Sequence, residues 1–329
     1  MADWNLRKNT IALVTGNGFD RDLGLQSSFS DFAKSDEWRN LTMAYGVNLY
    51  RTDMELSLLW HLNNAIQPNW FDIEETIHQF VKSHSNLLEE EAYNIRKEFE
   101  GLHHAFYNYL IRITKDFKAD PRKLSYQLLR QLPQCPVYIT DFSFNYTTPE
   151  TFIENVPEPI NLFHITREHM HGSLRENDII IGCDLGENEK VNRQLSFMYK
   201  YNKLKHANHI SLCLDEAKEI IFFGHSINEI DFCYFRDFFR KASSSYEVPK
   251  TVTIITWDEN SERSIKDNIR NQGISVTDLY NNLFSFTFIH SSKIYNGDGE
   301  EAEKWKDFLF RITEESKAEY NKNTPIIQQ

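Results

Sequence analysis

Four short sequences carry residue types that can do chemistry: Gly16-Asn17-Gly18-Phe19-Asp20, Phe144-Asn145-Tyr146-Thr147, His171-Gly172-Ser173 and Gly224-His225-Ser226. The two glycines around Asn17 follow an apolar run, Thr10–Thr15. Glycine lets backbone come close to a ligand, and successive exposed N–H groups form a concavity that favours anions. The usual tenant of such a turn in an α/β sheet is a nucleotide phosphate. His171 offers a neutral imidazole, with a reference pKa of ~6.5, able to take a proton from water or a sugar hydroxyl. The Asn145 amide orients both without adding charge. The Asp20 carboxylate can hydrogen-bond a sugar or stabilise a developing cation.

Each of these residues also has a purely structural reading. Gly-x-Gly lacks the third glycine of the dinucleotide fingerprint and the Lys-Ser/Thr of a P-loop, so ordinary turn chemistry explains it equally well. His171 is alternatively a satisfied turn histidine, and Asn145 a residue pinning a strand-end turn. Asp20 alternatively pairs with Arg21 or Arg167. Ser226 alternatively caps a following helix whose first turns hold Asp231. Asp72, Glu74 and Glu75 read as first-turn carboxylates and Trp70 as a staple. His164, His169 and His171 have spacings that suggest a metal, but no carboxylate or cysteine sits at a partnering distance, so no metal is expected.

The elements that must position these residues alternate. Thr10–Thr15, 137–140, 160–163, 179–181, 220–223, 252–256 and 284–289 read as short buried strands, with helices over 228–241 and 262–271 between them. Strands alternating with helices predict a mainly parallel sheet covered on both faces. Residues 35–131 are helical in pattern. Ser28 to Asp31 has capping-box spacing, and Ile73, Ile77, Phe80 and Val81 mark one helical face. Leu88 to Phe117 carries a long apolar stripe with a break expected near Gly101, packing within its own chain rather than as a coiled coil. The expected organisation is an α/β domain over 1–34 and 132–290, a helical insertion over 35–131, and a C-terminal helix with a mobile tail over 291–329. The stretch Ala242 to Tyr246 reads as a flap or a loop.

The chain has 329 residues, 40% of them hydrophobic, enough for a sizeable core. A net charge of −12 argues against broad nucleic-acid or membrane-surface binding. The four cysteines are scattered, and Cys183 and Cys233 lie in apolar surroundings where buried reduced thiols are the default. With no run of membrane-spanning length, the sequence reads as that of a soluble cytoplasmic protein.

Gly16 to Asp20 continuing into Leu25–Phe32, Trp70 to Glu74, Phe144 to Thr147, His171 to Ser173, and Gly224 to Ser226 with Asp231 occur in one order over residues 11–240. This ordered set resembles the AbiH family of phage abortive-infection proteins. AbiH-like proteins are in turn similar to sirtuin-type NAD-binding domains and to sirtuin-like NADases of bacterial defence. The resemblance implies a Rossmann-like sheet, sirtuin-type and DHS-like in its NAD/FAD binding, with NAD as substrate or ligand. It also implies roles. Gly16 and Gly18, with Asn17 and Phe19, would bring backbone to the pyrophosphate. Asn145 would hold the nicotinamide ribose or the attacking water, with Asp20 beside it, and His171 would be the base. Gly172 belongs to the same cofactor-binding set, and Gly224, His225 and Ser226 would contact the adenosine half. The chain departs from a sirtuin in Gly-Asn-Gly-Phe-Asp and in lacking a four-cysteine zinc module, which argues against protein deacylation.

Together these readings give an anti-phage effector that hydrolyses NAD to nicotinamide and ADP-ribose. The alternatives are a non-catalytic nucleotide-sensing or partner-binding protein, and a nuclease. A phage-derived or protein trigger and a homo-oligomer are the expected partners besides the nucleotide.

Overall fold

A computed structural model of the chain describes residues 10–47, 54–66, 73–154, 157, 165–184, 190–200, 207–244 and 249–323. These fall into two compact units. The first comprises Met1–Gly24, Lys118–Met170 and His206–Gln329; the second comprises Leu25–Phe117 and His171–Lys205. Among the described residues no helix is long and apolar enough to cross a membrane.

The first unit is α/β. Its six strands are β1 (Thr10–Thr15), β2 (Tyr138–Ser143), β3 (Ile165–His169), β4 (Glu219–Phe223), β5 (Thr251–Thr256) and β6 (Ser285–His290). They form one sheet in the order β3-β2-β1-β4-β5-β6, and every neighbouring pair is parallel. The order reverses between β1 and β4, and both strands have neighbours on each side. Their side chains must therefore be apolar on both faces, which is why Ala12, Leu13 and Val14, and Ile220, Ile221 and Phe222, are 0% exposed. Phe222 and Phe223 point to opposite faces, as successive strand residues do. Phe222 meets Phe235 at 5.3 Å between ring centroids, on the side of helix Arg236–Ser244. Phe223 meets Phe19 at 5.0 Å and Trp305 at 6.4 Å, on the side of helices Asn17–Leu23 and Gly299–Asn323. Helices therefore cover both faces, as the alternating pattern predicts.

The second unit is mostly helical. Ser28 takes the N–H of Asp31 and Asp31 takes that of Ser28, a reciprocal cap that starts helix Phe29–Phe32 as the spacing predicts. Ser35 and Ser57 cap helices Asp36–Ala44 and Leu58–Ala65 one way, their hydroxyls accepting the N–H of Trp38 and of Trp60. Glu98 reaches the latter cap, accepting from Ser57 Oγ at 3.1 Å and from the Leu59 N–H at 3.0 Å, and burial raises its carboxyl pKa. Ile73, Ile77, Phe80 and Val81 are buried on one face of helix Ile73–Ser83.

Several elements differ from the sequence reading, each for a local reason. Helix Glu89–Thr114 runs unbroken through Gly101, leaving Phe117 beyond its end. A Cβ at Gly101 would stand 3.1 Å from Leu41 Cδ1, so the glycine makes room for helix Asp36–Ala44. Ile179, Ile180 and Ile181 form no strand; the Ile180 N–H donates to the His171 carbonyl at 2.7 Å in an isolated contact. The third strand is Ile165–His169, whose polar sequence hides it; as an edge strand with one neighbour it needs no apolar run. The expected strand over 160–163 lies outside the described residues. The helix expected from 228 begins only at Arg236, after a short 3-10 turn, Phe232–Tyr234. Cys183 is buried but Cys233 is exposed. Trp305, Phe308 and Ile312 are buried on the C-terminal helix, which runs to Asn323 through part of the expected tail; 324–329 lie outside the described residues. Of the stretch Ala242 to Tyr246, Ala242–Ser244 end a helix and 245–248 lie outside the described residues.

Helix Ala207–Glu216 ends on a buried cation. Lys250 Nζ donates to the carbonyls of Leu214 at 3.1 Å, Asp215 at 2.6 Å and Ala217 at 2.7 Å. These are groups that a helix C-terminus leaves without partners, and a cation suits the negative end of the helix dipole. Lys250→Met removes all three donors and lowers the unfolding free energy by about 2–4 kcal/mol. Urea denaturation checks this, and an unchanged midpoint refutes the role of the cap.

Candidate functional site

In the first unit the carboxyl ends of β1, β2 and β4 bring three of the four motifs together. Thr15 pairs in register with both Ser143 and Phe223, so the chain segments that follow leave the sheet side by side. The β1 and β4 turns touch backbone to backbone. Gly18 N–H donates to Gly224 O at 2.9 Å, and Gly16 N–H to Phe223 O at 3.1 Å. A Cβ on Gly16 would lie 2.6 Å from Gly224 O, and one on Gly18 would lie 2.6 Å from Gly224 Cα. Gly224 has φ +65°, and its Cβ would lie 2.3 Å from the Phe19 N–H nitrogen. Contact with each other accounts for all three glycines. The Phe19 N–H donates to Gly16 O at 2.8 Å. The N–H groups of Gly16, Gly18 and Phe19 are thus spent inside the protein, where the sequence reading expects an open concavity. Phe19 is 0% exposed and its ring serves the core, whereas Asn17 is exposed.

Asn145 is held from several sides. Its Nδ2 donates to Gly16 O at 2.9 Å and to Asp20 Oδ1 at 3.1 Å. Its backbone carbonyl accepts from His169 Nδ1 at 2.8 Å, and burial lowers the His169 pKa, which suits a neutral donor. Both amide hydrogens are therefore spent, and among the described residues Asn145 Oδ1 takes no partner. Asp20 Oδ2 accepts from Thr147 Oγ1 at 2.6 Å. Burial raises the Asp20 pKa to about 7, against the Thr147 hydrogen bond and the Arg167 charge, which pull it down. Arg167 is not hydrogen-bonded to Asp20. Its Nε donates to Asp141 Oδ2 at 2.6 Å, and its Nη1 pairs with Glu150. Thr15 Oγ1 donates to the other oxygen of Asp141 at 3.1 Å. A carboxylate inside the apolar strand Tyr138–Ser143 has to be paired, so Asp141 carried a signal of this network that the sequence reading did not use.

After β4, His225 Nδ1 accepts from the Ile227 N–H at 2.9 Å, so Nε2 carries the hydrogen and faces Asp231 Oδ2 at 3.6 Å. The ring stands edge-on to Phe144 at 4.4 Å and to Phe235 at 5.2 Å. Ile227 has φ +48°, a conformation a β-branched residue adopts only when its surroundings impose it. Ser226 is exposed and starts no helix; its carbonyl accepts from Asn268 Nδ2 at 3.2 Å.

His171 and Gly172 belong to the second unit. Gly172 has φ +74° and a Cβ there would lie 2.0 Å from Asp178 O, so the turn admits only glycine. Ser173 N–H donates to Asp178 Oδ1 at 2.8 Å and closes the turn. In the same unit the Lys200 ammonium stands 2.6 Å from Glu74 Oε1 and 3.5 Å from His171 Nε2. The sequence reading passed over Lys200, which lies in no motif. Trp70, Asp72 and His164 lie outside the described residues. Among the described residues no three His, Cys, Asp or Glu side chains stand where they could hold one metal ion.

The sequence profile of the family described as bacteriophage abortive infection AbiH matches residues 12–253, a span that contains all four motifs. The chain belongs to the AbiH family. Membership places it among proteins of anti-phage abortive infection. No curated protein and no solved structure matches it. The four motifs within the matched span thus correspond here to three turns at the carboxyl end of a parallel sheet and to a His-Gly-Ser turn in a separate unit.

Two outcomes follow. Gly18→Ala forces backbone apart at the β1–β4 contact and costs about 3 kcal/mol or more, read as a fall in thermal midpoint. Asp20 holds its proton more tightly folded than unfolded, between the ordinary aspartate value of 3.8 and about 7. In that window the folded chain keeps a proton that the unfolded chain has lost, so stability falls as pH rises, by at most about 4 kcal/mol, and is level above it. Asp20→Asn keeps an acceptor for Asn145 and removes this slope; urea midpoints measured across the window in both proteins check it.

Proposed function

We propose that this AbiH protein is an abortive-infection effector that hydrolyses NAD to nicotinamide and ADP-ribose. The observation that carries the reading is the Asn145 amide oxygen, which takes no partner among the described residues and lies beside the point where the strand order reverses. Doubly wound sheets of the order 3-2-1-4-5-6 bind dinucleotides in the crevice at that reversal, outside the carboxyl ends of the strands. A Rossmann-like, sirtuin-like character is part of this proposal. With both of its hydrogens engaged, Asn145 is fixed as an acceptor for a ribose hydroxyl or for the attacking water. Cleavage of the nicotinamide–ribose bond passes through an oxocarbenium-like state, which such contacts stabilise as charge develops. Nicotinamide leaves with the bonding electrons, water adds at C1′, and the proton released goes to a base. Asp20, held near 7, is poised for that proton. The β1 and β4 glycines position these groups and donate no free amide of Gly16, Gly18 or Phe19 to the phosphates.

The second reading, nucleotide binding without turnover, is favoured by the burial of Asp20, which is only 1% exposed. Chromatography of NAD incubated with the purified chain separates the two. On the first reading wild type releases nicotinamide, and Asn145→Ala slows release by about a hundredfold or more with an unchanged circular dichroism spectrum. His171→Ala tests separately the base that the family resemblance assigns. Undiminished release by Asn145→Ala refutes the site, and saturable binding of NAD with no release establishes the second reading.

A further inference from the structure

Cys213, His209 and Glu168 stand in line on one face of the sheet, all within the first unit. His209 and Cys213 lie one turn apart on helix Ala207–Glu216, where residues four apart share a side. Glu168 comes from the edge strand β3 and pairs in register with Phe142 of β2, so both side chains leave the same face. There the His209 and Phe142 rings meet at 5.9 Å between centroids. Asp141 and its partner Arg167 leave the opposite face, so the two polar sets are separate. His209 Nδ1 is 2.5 Å from Glu168 Oε1, and His209 Nε2 is 3.3 Å from Cys213 Sγ. A carboxylate has no hydrogen to give, so Nδ1 carries the ring hydrogen and Nε2 is left to accept from the thiol. The other oxygen, Glu168 Oε2, is buried and takes no hydrogen bond among the described residues. A nucleophile facing a base that a carboxylate orients is the arrangement that activates serine and cysteine.

Cys213 is half-buried and the His209 side chain is 50% exposed, which suits a small reagent. Burial pushes the Cys213 thiol up to about 11, while the Thr140 hydroxyl beside it pulls the other way. The sulfur therefore stays a thiol until His209 takes its hydrogen, and the thiolate of a weakly acidic thiol is strongly nucleophilic. We propose that Cys213 is a site of thiol–disulfide exchange with low-molecular-weight disulfides, with His209 as its base. The Cys213 proton passes to His209 Nε2, and the sulfur attacks one sulfur of the reagent. The reagent's S–S bond breaks, a bond from Cys213 Sγ to the attacked sulfur forms, and the leaving thiolate takes the proton from His209. Cys213 is thereby oxidised to a mixed disulfide while half of the reagent is reduced to a thiol. Glu168 touches no reacting atom; it is a positioning residue that holds the ring and favours its protonated form. The protonated ring in turn favours a disulfide that carries carboxylates, as peptide disulfides do. The exchange does not depend on whether the chain binds or cleaves NAD.

Glutathione disulfide is the probe, used on the full chain carrying Cys233→Ser, which removes an exposed competing thiol. Intact mass followed over time gives the rate, and peptide mapping gives the site. The expected product carries one glutathionyl group on Cys213 and loses it to dithiothreitol. Because the proton moves within the Cys213–His209 pair, the rate is nearly level between pH about 8 and 10. His209→Ala reacts about a hundredfold more slowly near neutral pH, and its rate climbs about tenfold per pH unit with the thiolate fraction. Glu168→Gln, which keeps an acceptor but loses the charge, lowers the level rate about fivefold or more. No glutathionyl group on Cys213 overturns the site. An unchanged rate and pH profile in His209→Ala overturns the base, and an unchanged rate in Glu168→Gln overturns its positioning role. Circular dichroism accompanies each variant, and His209→Gln replaces His209→Ala if the latter does not fold.

Discussion

The contact of three glycines at the β1–β4 edge governs the rest of the first unit. Gly16, Gly18 and Gly224 bring two backbones closer than any side chain permits, and the Gly18–Gly224 hydrogen bond seals the approach. From this contact helix Asn17–Leu23 leaves the sheet at a fixed angle, presenting Asp20 to Asn145 and Thr147 near its start. Near its end Asp22 accepts from the Ser125 hydroxyl at 2.6 Å, from the Ser125 N–H at 2.8 Å and from the Tyr295 hydroxyl at 2.5 Å. A seven-residue helix has little stability of its own; here both ends are tied by buried hydrogen bonds. The glycine contact thus fixes one end of this helix and Asp22 the other.

Electrostatics divide the same edge into unlike halves. On the β2–β3 side Arg167 stays a cation: burial works against its charge, but Asp141 and Glu150 more than offset that and raise its proton affinity. Asp20, one step further in, lacks a direct cation and is left to the effect of burial. Two buried carboxylates on neighbouring segments thus differ in partners, one serving an ion network and the other a pair of neutral donors, Asn145 and Thr147.

The sheet was legible where burial on both faces forces an apolar run, as in Thr10–Thr15, Glu219–Phe223 and Thr251–Thr256. It was not legible at Ile165–His169, where an edge strand with polar residues gives no period to read. The motifs held Asn145 and Asp20, which the structure makes hydrogen-bonded neighbours, but gave no sign that the glycines pack on one another, because the sequence around a turn does not show whether a ligand or another turn lies against it. Lys200 could not be found at all. Its burial depends on Glu74, far away in sequence, and no local pattern marks a lysine that tertiary structure will desolvate. Gly101 looked like a helix breaker and instead clears space for Leu41 and Tyr45.

The order of the strands also sets a timetable. Thr10 pairs with Tyr138 and Ile11 with Glu219, so the central strand is made first and waits for partners made more than a hundred residues later. While the ribosome works through the intervening residues, Ile11, Ala12, Leu13 and Val14 have no strand to lie against. Such segments invite capture by chaperones or by other chains, and long-range parallel pairing is slow. Because the glycine contact needs Gly224, the sheet end that holds Asn145 and Asp20 takes shape only after β4 has been synthesised, so a truncated chain ending before that strand lacks the contact altogether.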